Sequence, residues 1–126
     1  MHTIAIVDDY ADTRVLLRET LGDLYDIEEY ASGPEALEGL SRAVPALVLL
    51  DISLPGMDGV EVLGRIRADV RLKHLPVIAL SAHGREEDRD RYIELGFSEY
   101  LHMPILDEKV LRAEISRWLS TANAKS

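Results

Sequence analysis

The sequence predicts a single α/β domain in which five strand–helix units form a parallel sheet covered by helices on both faces. Three observations predict this fold class. The chain has 126 residues, which is enough for one hydrophobic core and too few for two. Short apolar runs alternate with stretches of helical periodicity. The apolar runs are nearly continuous, as in strands that are buried on both faces.

The first unit contains a β-branched apolar strand at residues 3–7 that ends in two acids, Asp8 and Asp9. A core-facing helix is predicted at residues 11–24, because its apolar residues recur at helical spacing. The stripe consists of Leu17, Leu21 and Leu24. Carboxylates at the end of a buried strand are costly unless a partner compensates them, so this unit already indicates a site.

The second unit begins with a more exposed strand at residues 26–31. Its helix begins after Ser32, a good N-cap residue, with Pro34 just inside the first turn, and runs to about Arg42. The third strand, residues 46–50, is apolar throughout. It is followed at once by a single carboxylate.

That carboxylate is Asp51, and a Pro-Gly turn at residues 55–56 follows it before a helix that begins near Asp58. The apolar stripe of this helix is Val60, Leu63, Ile66 and Val70. In isolation Asp51 is equally well interpreted as a turn-capping residue or as a functional acid.

The last two units complete the sheet. A fourth strand at residues 77–80 stops at Ser81, and a charged helix at residues 85–95 is closed by Gly96, which suits a left-handed C-cap. A fifth strand at residues 99–102 and an amphipathic helix at residues 107–119 follow.

Composition excludes several function classes. The formal net charge of -9 argues against a nucleic-acid partner, since affinity for a phosphate backbone comes from clustered Lys and Arg. The absence of Cys excludes disulfides, thiolate zinc sites and a thiol nucleophile. The N-terminus lacks a basic segment, and no apolar run approaches membrane-spanning length. We therefore expect a cytoplasmic protein with no nucleic-acid or membrane partner.

The strand ends predict a shared acidic site. In a flavodoxin-like sheet of order 2-1-3-4-5, ligands bind between the carboxyl ends of the first and third strands. Asp8, Asp9 and Asp51 follow those two strands. Their mutual repulsion favours a hard cation such as Mg²⁺, and an acidic Mg²⁺ pocket is suited to phosphoryl transfer. A carboxylate can itself be the nucleophile and form an aspartyl phosphate.

At this point the chain resembles the receiver domain of two-component response regulators. The resemblance spans the chain nearly end to end, with the domain assigned to residues 1–121 and a frayed tail to residues 122–126. Each motif alone is weakly specific, but their order and spacing together are highly specific. The motifs are Ile-Val-Asp8-Asp9 with Arg14, Gly33-Pro-Glu-Ala-Leu37, Leu-Leu-Asp51-Ile-Ser-Leu-Pro55-Gly-Met-Asp58-Gly59, Ile-Ala-Leu-Ser81-Ala82, and Gly96-Phe-Ser-Glu-Tyr100-Leu-His-Met-Pro104.

The resemblance implies a role for each acid. Asp51 would accept the phosphoryl group and also bind the metal, and Asp9 would be a direct Mg²⁺ ligand. Asp8 would hold the metal mainly through water, and the backbone carbonyl of Ser53 would be a further ligand. The protein would not be an enzyme in the usual sense, but a phosphoacceptor that assists its own phosphorylation and dephosphorylation.

The resemblance also implies two switch residues and a set of partners. Ser81 would turn its hydroxyl toward the phosphoryl group, and Tyr100 would change its burial. The phosphoryl donor would be a histidine kinase or a histidine phosphotransfer protein, and a downstream protein would bind the face formed by the fourth helix, fifth strand and last helix. The bond before Pro104 is expected to be cis.

One position departs from the family. A lysine normally precedes the proline after the last strand, and here that residue is Met103. A thioether carries no charge and hardly any hydrogen-bonding capacity. Two hypotheses follow: phosphorylation persists with a greater dependence on the metal, or the domain is a phosphorylation-independent interaction module. His83 is a weaker candidate for a substitute cation, because its side chain titrates near neutral pH.

A third class is a haloacid-dehalogenase-like phosphatase, which also forms an aspartyl phosphate. That class needs a second acid two residues after the nucleophile, and here this position is Ser53. We rank it last.

Overall fold

The computed structural model describes residues 1–82, 86–103 and 107–124 of the chain. Five strands and five helices alternate within them. The strands are β1 (Thr3–Val7), β2 (Asp26–Tyr30), β3 (Leu47–Asp51), β4 (Val77–Ser81) and β5 (Glu99–His102). The helices are α1 (Ala11–Leu21), α2 (Gly33–Arg42), α3 (Gly59–Ala68), α4 (Arg89–Leu95) and α5 (Glu108–Ala124).

All four strand pairings are parallel, and the strand order is β2-β1-β3-β4-β5. The predicted flavodoxin-like fold class is therefore confirmed. Val7 lies opposite Leu50 in the ladder between β1 and β3. The residues that follow these two strands consequently meet at one edge of the sheet.

The sheet separates two apolar clusters, because successive strand residues point to opposite faces. On one face Ile4, Ile6 and Leu49 pack with α1 and α5. On the other face Ala5, Val7 and Leu50 pack with α2, α3 and residues of the α4–β5 region. Each cluster is fully buried at its centre, so the strand ends are held by packing on both sides.

The predicted N-cap at Ser32 and the predicted helix start near Asp58 are confirmed. The Ser32 hydroxyl accepts a hydrogen bond from the Glu35 N–H at 3.3 Å, and the Asp58 carboxylate accepts one from the Glu61 N–H at 2.9 Å. Gly96 ends α4 with φ of 118°, in the left-handed region where glycine is favoured.

The prediction that Leu24 and Val70 belong to the buried apolar stripes of their helices is wrong. Leu24 is 47% exposed, because α1 ends at Leu21 and the chain turns into β2. Val70 is 81% exposed, because α3 ends at Ala68 and Asp69 is extended. In both places apolar spacing continues beyond the point where the backbone leaves the helix.

The last two helices also differ from their predicted bounds. A short 3₁₀ turn at Glu86–Asp88 precedes α4, which begins later than predicted. Helix α5 extends beyond the predicted end at Leu119 to Ala124. Within the described ranges, no helix combines the length and apolar character needed to cross a membrane.

Candidate phosphoryl-transfer site

Three carboxylates converge where β1 and β3 end. Asp8, Asp9 and Asp51 each offer an oxygen, and these oxygens all lie within 4.8 Å of one another. Asp8 is buried, Asp51 is half-buried and Asp9 is exposed. The cluster thus has a buried floor and an open side, as expected for a site that receives a ligand from solvent.

Backbone N–H groups orient two of these carboxylates. The Tyr10 N–H donates to Asp8 Oδ1 at 2.8 Å, and the Ser53 N–H donates to Asp51 Oδ1 at 2.9 Å. Both bonds span two residues, so each carboxylate is fixed by the loop that directly follows its strand. The orientation of these carboxylates is therefore set by local chain geometry.

The pKa of Asp8 is raised from 3.8 to about 6. Burial is the largest cause, and the charges of Asp51 and Asp9 act in the same direction, whereas the Tyr10 N–H and Arg14 lower the pKa. A raised carboxyl pKa means that the negative form is short of compensating charge. Carboxylate oxygens are hard donors of the kind that Mg²⁺ prefers, and a divalent cation would relieve this repulsion. The residues present therefore fit Mg²⁺.

An open cavity of about 300 Å³ adjoins the acids. Its lining includes the predicted Ser53 and Met103, together with two residues to which the sequence assigned no role, Tyr10 and Thr13. The complete lining is Asp8, Asp9, Tyr10, Thr13, Asp51, Ser53, Leu80, Ala82 and Met103. No Lys or Arg lines the cavity among the described residues.

Close packing beneath the site requires glycine at position 59. A Cβ atom there would lie 2.5 Å from the Asp51 carbonyl oxygen and 2.5 Å from Ile52 Cα. Real Cβ atoms do not approach backbone atoms so closely. Gly59 thus allows the start of α3 to pack directly against the backbone of Asp51 and Ile52.

Arg14 connects the site to β2. Its Nη1 donates to the Asp8 carbonyl oxygen at 2.5 Å, and its Nε lies 3.3 Å from Glu29 Oε1. Arg14 appeared in the sequence motif without a role. The only signal in the sequence was its position five residues after Asp9, on the helix that follows the acids.

The two expected switch residues lie beside the cavity and do not line it. Ser81 is 2% exposed at the end of β4, between the lining residues Leu80 and Ala82. Tyr100 is 5% exposed on β5, where it pairs with Ala79. Since Ala79 and Ser81 are two residues apart on one strand, Ser81 and Tyr100 share a face of the sheet. His83 and the bond before Pro104 lie outside the described residues.

Comparison with known proteins agrees with this arrangement. The family model described as the response regulator receiver domain matches residues 4–116. The chain belongs to the response regulator receiver domain family. Receiver domains are phosphorylated in two-component signalling and bind Mg²⁺ through an acidic pocket. They interact with histidine kinases or phosphotransfer proteins and with downstream effectors.

Individual relatives and structures show how far the likeness extends. An uncharacterised 14.6 kDa protein of Leptolyngbya boryana is 43% identical, over 86% of this chain and 84% of its own length. The response regulator PleD of Caulobacter vibrioides is 34% identical over 89% of this chain, which spans only 25% of PleD. The crystal structure of a putative response regulator from Chloroflexus aurantiacus superposes with a TM-score of 0.88 at 32% identity, covering 94% of this chain and 98% of that one.

Proposed function

We propose that the protein accepts a phosphoryl group on Asp51 from a phosphohistidine of a histidine kinase or a histidine phosphotransfer protein. The observation that carries the proposal is the convergence of three carboxylate oxygens within 4.8 Å at the mouth of an open cavity. Of the three acids, Asp51 is half-buried at the end of a central strand. It is therefore held rigidly and remains accessible.

The transfer needs one nucleophile and one leaving group. A carboxylate oxygen of Asp51 attacks the phosphorus, a P–O bond forms, and the P–N bond to the donor imidazole breaks. The imidazole leaves with the bonding electron pair and takes a proton from water. The Ser53 N–H keeps Asp51 oriented during the attack through its 2.9 Å hydrogen bond.

The metal would be held by the residues that the resemblance implies. Asp9, Asp51 and the Ser53 carbonyl would bind Mg²⁺ directly, and Asp8 would bind through water. When bound, Mg²⁺ supplies positive charge that neutralises the phosphoryl oxygens and the clustered acids. Arg14 keeps the loop of Asp8 and Asp9 in place, because it bonds the Asp8 carbonyl oxygen.

The response would pass from the site to a docking face. Ser81 would donate its hydroxyl to a phosphoryl oxygen, and Tyr100 would change its burial in step. The face formed by α4, β5 and α5 would then bind a downstream protein. In the phosphorylated and unphosphorylated forms this face would present different side chains.

A second candidate is a phosphorylation-independent interaction module, and Met103 favours it. Its side chain lines the cavity, at the position where the resemblance to receiver domains implies a lysine. At 4 Å and an effective dielectric of 20, a unit charge pair is worth about 4 kcal/mol before desolvation. Without that cation the acids would remain as a metal site or as a remnant.

Beryllofluoride, which mimics a phosphoryl group on a carboxylate, tests the two candidates. Amide NMR spectra are recorded with and without Mg²⁺ for the wild type, for Asp51→Asn and for the control Asp23→Asn, which removes an exposed acid outside the site. If Asp51 accepts the phosphoryl group, beryllofluoride should shift amide resonances of the wild type and of Asp23→Asn, and only when Mg²⁺ is present. The same addition should cause no such shifts in Asp51→Asn. Spectra that respond to Mg²⁺ but never to beryllofluoride would favour the interaction module.

A further inference from the structure

An aromatic cluster surrounds Tyr100 on the face of the sheet covered by α4. The rings of Tyr92 and Tyr100 are stacked, with centroids 5.3 Å apart and planes at 3°. Phe97 contacts Tyr92 edge to face, with centroids 6.0 Å apart and planes at 77°. Phe97 and Tyr100 are buried, and Tyr92 is half-buried. Tyr92 is therefore the more exposed of the two stacked rings.

The hydroxyl group of Tyr100 opposes this buried position. Its oxygen is buried and has no hydrogen-bond partner among the described residues. A buried hydroxyl without a partner favours the exposed conformation, in which water hydrates it. Among the described residues, the ring is consequently held inside by apolar and stacking contacts.

The backbone at this position is held separately. The Tyr100 N–H donates to Glu99 Oε1 at 3.0 Å, and Glu99 is buried. Arg89 of α4 binds the same carboxylate at 2.7 Å, and Arg117 of α5 lies 3.6 Å from its second oxygen. Tyr100 can therefore change its burial by side-chain rotation while β5 stays in register.

We propose that Tyr92 is a positioning residue that sets the equilibrium between buried and exposed Tyr100. Its ring stacks on Tyr100 and offsets the cost of the unpartnered hydroxyl, so the unphosphorylated protein keeps Tyr100 inside. A weaker stack shifts this equilibrium outward without any change at the acids. The link from this equilibrium to phosphorylation rests on the proposed function, whereas the equilibrium itself does not.

Fluorine NMR of the full chain measures the equilibrium directly. The protein is labelled with 3-fluorotyrosine, and the Tyr100 resonance, one of five, is assigned from Tyr100→Phe. Its exposure is read from the H₂O–D₂O isotope shift and from broadening by a soluble nitroxide. Tyr92→Leu removes the stacked ring, and we expect the ratio of exposed to buried Tyr100 to rise about threefold to tenfold.

Two matched variants separate stacking from general loosening. Tyr92→Phe keeps the ring and should restore wild-type exposure of Tyr100. Tyr25→Leu makes the same chemical change at a half-buried tyrosine on the opposite face of the sheet, and should leave Tyr100 unchanged. Thermal unfolding confirms that each variant is folded. If Tyr92→Leu does not fold, Tyr92→Met replaces it with the same expectation.

An unchanged Tyr100 resonance in folded Tyr92→Leu would overturn the role of Tyr92. An equal increase in Tyr92→Phe or Tyr25→Leu would also overturn it. Addition of beryllofluoride and Mg²⁺ to the wild type is a separate measurement. If the Tyr100 resonance does not respond to beryllofluoride and Mg²⁺, that result would count against the proposed switch. The role of Tyr92 is decided only by the comparison of the variants in the absence of beryllofluoride.

Discussion

Replacement of Asp8 by Asn should stabilise the metal-free protein, although it alters the most buried acid of the site. Asn is nearly isosteric and keeps an oxygen that can accept the Tyr10 N–H bond. It removes the charge that burial and the neighbouring carboxylates disfavour. Stability and function are thus expected to change in opposite directions at this residue.

The magnitude follows from the pKa of Asp8, which rises from 3.8 to about 6 on folding. A shift of this size corresponds to about 3 kcal/mol at 1.36 kcal/mol per pKa unit. Because the carboxylate faces an open cavity, water screens part of this cost and we expect about 1–2 kcal/mol at pH 7.5. For a domain of this size the melting temperature should rise by about 3–10 °C.

The pH dependence has a defined sign. Between pH 4 and pH 6 the folded wild type binds a proton at Asp8 that the unfolded chain has released, so this residue contributes less stability as the pH rises. Asp8→Asn has no such group. The difference in free energy of unfolding between the two proteins should therefore be largest above pH 6 and should disappear below the unfolded pKa of 3.8.

The assay is thermal and urea unfolding in EDTA at several pH values, with Asp23→Asn as the control for loss of an exposed acid. Mg²⁺ is then added, and its stabilisation of the wild type should be reduced in Asp8→Asn. A melting temperature that is unchanged or lower in Asp8→Asn at pH 7.5 would refute the electrostatic reasoning. A gain in melting temperature that does not depend on pH would refute it as well.

Three further predictions, one with a matched control substitution, concern other parts of the structure. Gly59→Ala should lower the free energy of unfolding by about 1–3 kcal/mol, because its Cβ would meet the backbone at 2.5 Å. Gly64 lies in the same helix, and a Cβ there would meet open space, so Gly64→Ala should raise the free energy of unfolding by about 0.5–1 kcal/mol. Equal effects of the two substitutions in urea unfolding would contradict the packing argument. Tyr100→Phe removes a buried hydroxyl that has no hydrogen-bond partner in the described part of the chain, so it should raise the free energy of unfolding by about 1 kcal/mol. A lower free energy of unfolding would show that the hydroxyl is hydrogen-bonded. Met103→Lys should speed phosphorylation by acetyl phosphate about fivefold to thirtyfold, corresponding to 1–2 kcal/mol; an unchanged rate of Asp51 labelling would show that the missing cation matters little.

The sequence was sufficient to predict the sheet and the acidic cluster. Strand runs of five residues end in acids at two places, and a parallel sheet necessarily brings such ends to one edge. Asp8, Asp9 and Asp51 could therefore be placed together without any knowledge of side-chain contacts. Met103 likewise follows the last strand, and it does line the cavity.

Contacts that depend on how a helix is rotated could not be predicted. The sequence predicts only that the α4 region is a charged helix, yet Arg89 binds the buried Glu99 and Tyr92 stacks on Tyr100. Periodicity in so short and polar a helix does not define which side faces the sheet. The ends of α1 and α3 were missed for a related reason, because apolar spacing at Leu24 continues past the last helical residue.

The most direct test of the central claim is covalent labelling of Asp51. The protein is incubated with acetyl phosphate in the presence and absence of Mg²⁺, and its intact mass and peptide map are measured, with borohydride reduction to mark the acyl phosphate. The account predicts one phosphoryl group per chain, found on the peptide that contains Asp51, dependent on Mg²⁺ and absent in Asp51→Asn. A wild-type protein that stays unlabelled with Mg²⁺, or is labelled equally in Asp51→Asn, would contradict it.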